Sequence, residues 1–385
     1  MNLKQMLVEM LGRKASDLHL RVGTRPHLRV NGTLEAIPTD PVNMDQMEQI
    51  VQQILNEKQL ERFRRKNEMD LALSVAKLGR FRINLFRQRG TTGIAIRAVN
   101  TQVPSFEELN LPPVVSKLAT ETRGLIVITG TTGSGKSTSL ASMIEEMNAN
   151  RSCNIMTVED PIEYIYRDKK SIISQREVGG DTETFASALR HAFRQDPDVI
   201  LIGEVRDLET MSIALTAADT GHLVLTTLHT MNVIETITRI ISFFPPHQHQ
   251  QIRLLLAGTL KAIMCQRLLA RTDMPGRVPA LEIMVNSGAI RECIMDPEKT
   301  VDIQELMEQG QVQYGMQTFD QSIMGLYKKG MISFEEAMAQ ASNPDDFDLR
   351  VRGITSSADR WAEEGGDSES SDSMSGGSSE GFTKY

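Results

Sequence analysis

Gly130-Thr131-Thr132-Gly133-Ser134-Gly135-Lys136-Ser137, followed by Thr138, has the residue types and spacing of a phosphate-binding loop. Glycines there let the backbone wrap an anion with no Cβ in the way. The apolar run Gly124-Leu-Ile-Val-Ile-Thr129 predicts a short buried strand before the loop, and Thr138 to Asn148 predicts a helix after it. Strand, glycine turn and helix N-terminus in that order aim several backbone N–H groups and the helix dipole at one anion. Lys136 is placed to reach the β- and γ-phosphates of a nucleotide, and the Ser137 hydroxyl to ligate Mg²⁺.

Such a loop alone only binds a nucleotide; hydrolysis also needs a polarised water, metal ligands and positive charge opposite the transferred phosphoryl group. Thr157-Val-Glu159-Asp160-Pro161-Ile-Glu163 ends an apolar strand, where wound sheets place their ligands. Three carboxylates there are costly without a cation; a solvated acidic turn is the alternative. Asp196-Pro-Asp198-Val-Ile-Leu-Ile-Gly203-Glu204 resembles a Walker B strand with glutamate in the usual aspartate position. Glu204 would hold Mg²⁺ through water or orient the attacking water. In Gly221-His222-Leu-Val-Leu-Thr-Thr-Leu-His229-Thr230 the histidines flank an apolar strand seven residues apart. Odd spacing puts them on opposite strand faces, so they are poor joint metal ligands. Sensing of the γ-phosphate suits His229, at the strand's end, while His222 is either part of that or a satisfied core histidine.

Arginine supplies the positive charge. Arg190 and Arg194, four apart, are expected on one face of the helix before the Glu204 strand. Arg80, Arg82, Arg87, Arg89 and Arg97 crowd the strand region of the first unit, with Arg80 and Arg82 on the same face. They form either a solvated basic sheet or arginine fingers reaching another subunit's nucleotide.

The elements that must position these residues fall into blocks. Residues 1–100 read as a small α+β unit: a helix over Leu3 to Leu11, a strand over Asp17 to Val22, an Asn-Gly hairpin within Leu28 to Leu34, one helix or two over Met44 to Phe63, and strands over Asp70 to Val75, Gly79 to Gln88 and Gly93 to Val99. Pro104, Pro112 and Pro113 mark a stiff linker at 101–118. Over 119–353, apolar strands at 124–129, 153–158, 199–202 and 222–228 alternate with helical patterns, the signature of a wound α/β sheet. Beyond Pro246 the pattern reads as mostly helical, from Gln250 to Leu269 and from Asp320 to Gln340. Residues 354–385, with Asp367-Ser-Glu-Ser-Ser-Asp-Ser-Met-Ser-Gly-Gly-Ser-Ser-Glu380, read as a disordered acidic tail.

The 385 residues carry a net charge of −8, but seven acids against Arg360 and Lys384 put −5 of it in residues 355–385. The folded body is then nearly neutral, which argues against a dedicated nucleic-acid binder. No apolar run reaches the length of a membrane span, and the start lacks the pattern of an export signal. Cys153, Cys265 and Cys293, with no C-x-x-C spacing, point to a reducing compartment and exclude a four-cysteine zinc module.

Together these segments resemble the secretion ATPase superfamily, and within it the type IV pilus retraction ATPases of the PilT/PilU group. Glu159-Asp-Pro-Ile-Glu163 is similar to that family's Asp box, and Gly221-His222 to Leu228-His-Thr230 to its His box. Ser16-Asp-Leu-His19, Gln175-Arg-Glu-Val178 and Leu189 to Asp198 are also similar to family segments, and the likeness runs from residue 1 to about 353. It implies an α/β fold with a RecA-like P-loop ATPase domain preceded by a small PAS-like α+β domain. It further implies ATP and Mg²⁺ as cofactors, a homohexameric ring, and nucleotide held between the domains with Arg82 and Arg97 pointing at the phosphates. The Asp-box glutamates, Glu159 or Glu163, and Glu204 would divide water activation and metal handling, with the base unassigned. The implied activity is ATP hydrolysis powering pilus retraction and twitching motility. The implied setting is the cytoplasmic face of the inner membrane, peripheral to it, against a pilus platform protein and a paralogous retraction ATPase. Gly288-Ala-Ile-Arg-Glu-Cys-Ile294 resembles the Ala-Ile-Arg motif linked to retraction but departs from it after the arginine. Gly315 to Gln321 and Asn343 to Phe347 resemble the PilU side, and Asp196-Pro-Asp198 and Arg206 to Glu209 the PilT side. The alternatives are an extension or secretion ATPase of the same superfamily, or a weakly hydrolysing nucleotide-binding accessory to another motor.

Overall fold

The structure, a computed structural model, describes residues 2–30 and 32–353, so the expected acidic tail lies outside the described residues. Period-two alternation builds the first sheet. Its strands are β1 (Asp17–Arg21), β2 (His27–Val30), β3 (Thr33–Ala36), β4 (Glu68–Val75), β5 (Gly79–Gln88) and β6 (Thr91–Ala98), ordered β3-β2-β1-β6-β5-β4. Neighbours are all antiparallel. On β5, Phe81, Ile83 and Leu85 are buried while Arg80, Arg82 and Asn84 alternate onto the other face. The buried face is closed by α1 (Leu3–Gly12), α2 (Met44–Ile54) and α3 (Glu57–Lys66). The stretch from Met44 is thus two helices: Asn43 and Asn56 each form a capping box, with Gln46 and Gln59, and so start two separate helices.

The expected linker is largely docked onto the second unit. Within it, α4 (Pro113–Leu118) buries Val114, Val115 and Leu118 against that unit's core, where Phe106 and Leu109 also pack. Ser142 Oγ donates to the Pro104 carbonyl at 2.7 Å.

The second sheet contains β7 (Gly124–Thr129), β8 (Asn154–Glu159), β9 (Ile172–Glu177), β10 (Val199–Ile202), β11 (Leu223–Leu228), β12 (Leu260–Ala270) and β13 (Arg277–Val285). Its order is β13-β12-β7-β11-β10-β8-β9, parallel throughout except for the antiparallel β12–β13 pair. On β7, Leu125 and Val127 enter one core and Ile126 and Ile128 the other. Helices α5 (Lys136–Asn150), α6 (Phe185–Ala192), α7 (Leu208–Asp219), α8 (Val233–Ser242) and α9 (His249–Thr259) flank the sheet, followed by helices from Gly288–Met295 to Pro344–Val351.

Two expectations fail. Gln250 to Leu269 is not one helix: α9 stops at Thr259 and β12 begins at Leu260. Because β12 is buried on both faces, Ile263 and Cys265 toward one core and Ala262 and Met264 toward the other, its apolar run shows no alternation to separate strand from helix. Arg190 and Arg194 do not share a helix face either. Helix α6 ends at Ala192, and Arg194 lies in a turn closed by its N–H on the His191 carbonyl. No helix among the described residues is long and apolar enough to cross a membrane.

Truncating the central strand by Ile126→Ala should destabilise the protein by about 2–5 kcal/mol in denaturant unfolding. Val312→Ala, at a position 83% exposed, should change it by less than about 0.5 kcal/mol.

Candidate nucleotide site

The phosphate loop leaves the C-terminal end of β7 and enters α5 at Lys136. Two glycines are forced by a residue that the sequence does not single out, one by its main chain and one by its side chain. Gly130 has φ +139, and a Cβ there would lie 2.3 Å from the Gln266 carbonyl oxygen. Gly135, at φ +90, would meet Gln266 Nε2 at 2.7 Å. Gln266 on β12 is buried and braces the loop: Nε2 donates to the Ser134 carbonyl at 2.8 Å, and Oε1 accepts from Ser139 Oγ at 2.8 Å. The only cue to it in the sequence is a lone amide in an apolar run. Lys136 Nζ donates to the carbonyls of Gly130 at 2.8 Å and Thr131 at 2.9 Å. Burial pushes its pKa down, and the Glu204 charge pulls it back up.

A cavity of about 600 Å³ opens over the loop. Thr132, Gly133, Gly135, Lys136, Ser137 and Thr138 form one wall, with Glu159, Glu163, Glu204 and His229 opposite. Gly130, Thr131 and Ser134 belong to the loop but do not line that cavity.

The acids differ in environment. Glu159, at the end of β8, is buried and accepts from Thr157 Oγ1 at 2.7 Å, from the Glu163 N–H at 3.3 Å and from Gln175 Nε2 at 3.4 Å. Burial raises its pKa more than these bonds lower it. Glu204, just past β10, meets Arg206 Nη2 at 2.5 Å and His229 Nε2 at 3.3 Å. His229 emerges at the end of β11 beside Glu204, as its place in the sequence predicts. His222 sits at the strand's other end, with Nδ1 3.1 Å from the Ala217 carbonyl and its ring edge-on to Phe193. That is the satisfied structural histidine of the two readings.

Arg80, Arg82 and Arg97 line a neighbouring cleft of about 880 Å³ between the two sheets, which shares Asp160 and Pro161 with the loop cavity. Arg82 pairs with Glu163 Oε1 at 2.9 Å and donates to the carbonyls of Pro161 and Ile162. Arg97 Nε donates to Asp17 Oδ1 at 2.8 Å, across the β1–β6 register. Burial pushes the Asp17 carboxyl up, but the Ser16 hydroxyl and Arg97 outweigh it and hold it below its usual value. Arg80, which the sequence offers only as one of a crowd, pairs with Glu177 Oε2 at 3.1 Å, and the same oxygen accepts from the Ile162 N–H at 3.3 Å. Of two guanidiniums on one face of β5, Arg82 therefore grips the Asp-box loop directly and Arg80 through Glu177.

The oxygen donors of the loop cavity suit a hard cation. Ser137 and Glu204 line it together, and among the described residues no group of three or more His, Cys, Asp or Glu could hold a metal unaided. Mg²⁺ fits such a set, because it takes one or two protein oxygens and completes its shell with phosphate and water.

Comparison with known proteins agrees with this geometry. Residues 1–339 match the family described as "Type II/IV secretion system protein". The chain is 41% identical to the type IV pilus ATPase PilU of Pseudomonas aeruginosa, over 93% of this chain and 94% of that one. It is 40% identical to the type IV pilus retraction ATPase PilT of the same organism, over 90% of this chain and all of that one. A crystal structure of the pilus retraction motor PilT with bound ADP superposes with a TM-score of 0.83 at 41% identity, covering 90% of this chain and 98% of that one. With a RecA-like nucleotide fold, a small N-terminal sheet unit and this match over most of its length, the chain belongs to the type II/IV secretion ATPase family.

Proposed function

We propose that this chain is an ATP-hydrolysing motor for type IV pilus retraction, working as a homohexameric ring at the cytoplasmic face of the inner membrane. Its load would be a membrane platform protein, with a paralogous retraction ATPase as a further partner. The observation that carries this reading is the convergence of Lys136, Ser137, Glu204, His229 and the Asp-box glutamates on one cavity at the C-terminal ends of parallel strands. The names of the PilT and PilU relatives support retraction over extension or secretion.

In this reading Lys136 and the loop N–H groups balance charge on the β- and γ-phosphate oxygens. Ser137 and Glu204 would hold Mg²⁺, which when bound neutralises charge on the same oxygens. Of the two Asp-box glutamates, Glu163 is the better placed proton acceptor: its side chain is 47% exposed and reaches water, whereas Glu159 is buried and holds the Glu163 N–H. Glu163 takes a proton from the attacking water as the new O–P bond forms and the bond to the ADP oxygen breaks. His229, against Glu204, reports whether the γ-phosphate is present. Arg82 links chemistry to motion. Leaving Glu163 for the phosphates would free the base and bring a finger cation in one step, closing the cleft between residues 1–100 and 119–353. Residues 104–118 are docked on the second unit, and the Asn100 carbonyl accepts there from the Ile165 N–H at 2.9 Å. The Val99 N–H donates to the Arg80 carbonyl of the first unit at 2.9 Å, so the turning point falls at Val99–Asn100.

Purified protein should hydrolyse ATP as a hexamer, and Lys136→Ala should abolish hydrolysis while the ring persists on size-exclusion light scattering. A wild-type ring without hydrolysis would favour the accessory reading. Arg82→Ala should lower kcat by about 10³-fold, the scale of an arginine finger, in steady-state assays. Gln266→Leu leaves the Ser134 carbonyl and Ser139 hydroxyl unpaired, so ADP affinity by calorimetry should fall at least about tenfold, each buried unpaired group being worth about 1–3 kcal/mol.

A further inference from the structure

Behind the nucleotide cavity lies a buried polar cluster with no part in the chemistry above. Glu282 on β13 is 3% exposed, in register with Cys265 on β12. Its Oε1 accepts from the Val233 N–H at 2.7 Å. Val233 is the first residue of α8, and that N–H is one that a helix start leaves without an internal partner. A carboxylate at this point also meets the positive end of the helix dipole.

The segment immediately before α8 is His229-Thr230-Met231-Asn232. Three of its four residues are bonded to the first turn of α8. Asn232 caps the helix by accepting from the Glu235 N–H at 2.8 Å, and Glu235 accepts from the Met231 N–H at 2.8 Å. Thr230 Oγ1 lies 2.7 Å from Thr236 Oγ1, which donates to the Asn232 carbonyl at 2.7 Å. Where α8 starts therefore decides where His229 stands relative to Glu204.

We propose that Glu282 is a positioning residue for hydrolysis, whose carboxylate clamps the start of α8 and so sets His229 against Glu204. The clamp rests on the motor reading for its effect on turnover, though not for its effect on the loop. It is also sensitive to protonation. Burial pushes the Glu282 carboxyl up to about 7, more than the Val233 N–H, the Arg267 guanidinium and the Cys265 thiol pull it down. Asp320 faces it as well and pushes in the same direction as burial. Below that value the carboxyl is neutral and offers Val233 an ordinary hydrogen bond; above it the bond is charge-assisted, about twice as strong.

The test is Glu282→Gln in the full-length chain, which keeps an acceptor for Val233 but cannot ionise. Wild-type kcat at saturating ATP should climb through about pH 7. The variant should lack that rise and stay lower by up to about tenfold at higher pH, with KM for ATP unchanged. Hydrogen–deuterium exchange gives a readout that needs no turnover: the peptide covering 229–236 should exchange faster in Glu282→Ala, and more slowly in wild type than in Glu282→Gln above neutral pH. The same pH profile of kcat in wild type and Glu282→Gln, or unchanged exchange at 229–236 in Glu282→Ala, would overturn the proposal. A wild-type chain that hydrolyses no ATP would sink the motor reading, and exchange alone would then decide the clamp.

Discussion

The contact on which the site's assembly depends is the grip of β5 on the Asp-box loop. Arg80 and Arg82 are two residues apart, so strand alternation puts both on the face turned toward the second unit. Their two ion pairs are unequal. The Arg82–Glu163 pair is partly solvated, 23% and 47% exposed, and pairs of that kind contribute about 0–1 kcal/mol. The Arg80–Glu177 pair is more enclosed, 24% and 10% exposed, and its carboxylate also holds the Ile162 N–H. Weakness in the first is what a switch needs, since phosphate oxygens can outcompete a solvated carboxylate for a guanidinium. Greater burial in the second lets it act as the pivot, because enclosed pairs are screened less by salt.

Everything else holds that grip in register with the phosphate-loop cavity. Parallel strands bring the phosphate loop, Glu159, Glu204 and His229 out at one end of the sheet, and β12 adds Gln266 beneath the loop. Docking of Asn100 and of residues 104–118 on the second unit leaves a short joint at Val99–Asn100, so a rotation of the first unit there would act directly on Arg80 and Arg82. On the far side of the cavity the buried Glu282 and the start of α8 hold the His229 segment.

The sequence is most legible where function is local. The phosphate loop, the acidic segment at Glu159 and the Gly203-Glu204 strand end each carry their meaning within about ten residues of chain, and each lies where its flanking pattern implies. Even the shared face of Arg80 and Arg82 comes from alternation alone. Contacts between distant segments leave no such trace. Gln266 braces a loop over 130 residues earlier in the chain, and nothing beside it in sequence marks it. Arg82 and Arg97 are expected at the phosphates, but in this structure they pair with Glu163 and Asp17 in the adjoining cleft. β12 reads as helix because burial on both faces erases the periodicity that tells strand from helix.

The central claim is that nucleotide moves the first unit over the Asp box by drawing Arg82 from Glu163. The most direct measurement is double electron–electron resonance between spin labels at the exposed positions Glu61 on α3 and Glu183 before α6, in a Cys153→Ser background. A non-hydrolysable ATP analogue should shift the distance distribution, and Arg82→Ala should remove the shift while nucleotide still binds. An unchanged distribution at saturating analogue, with binding verified by calorimetry, would contradict it.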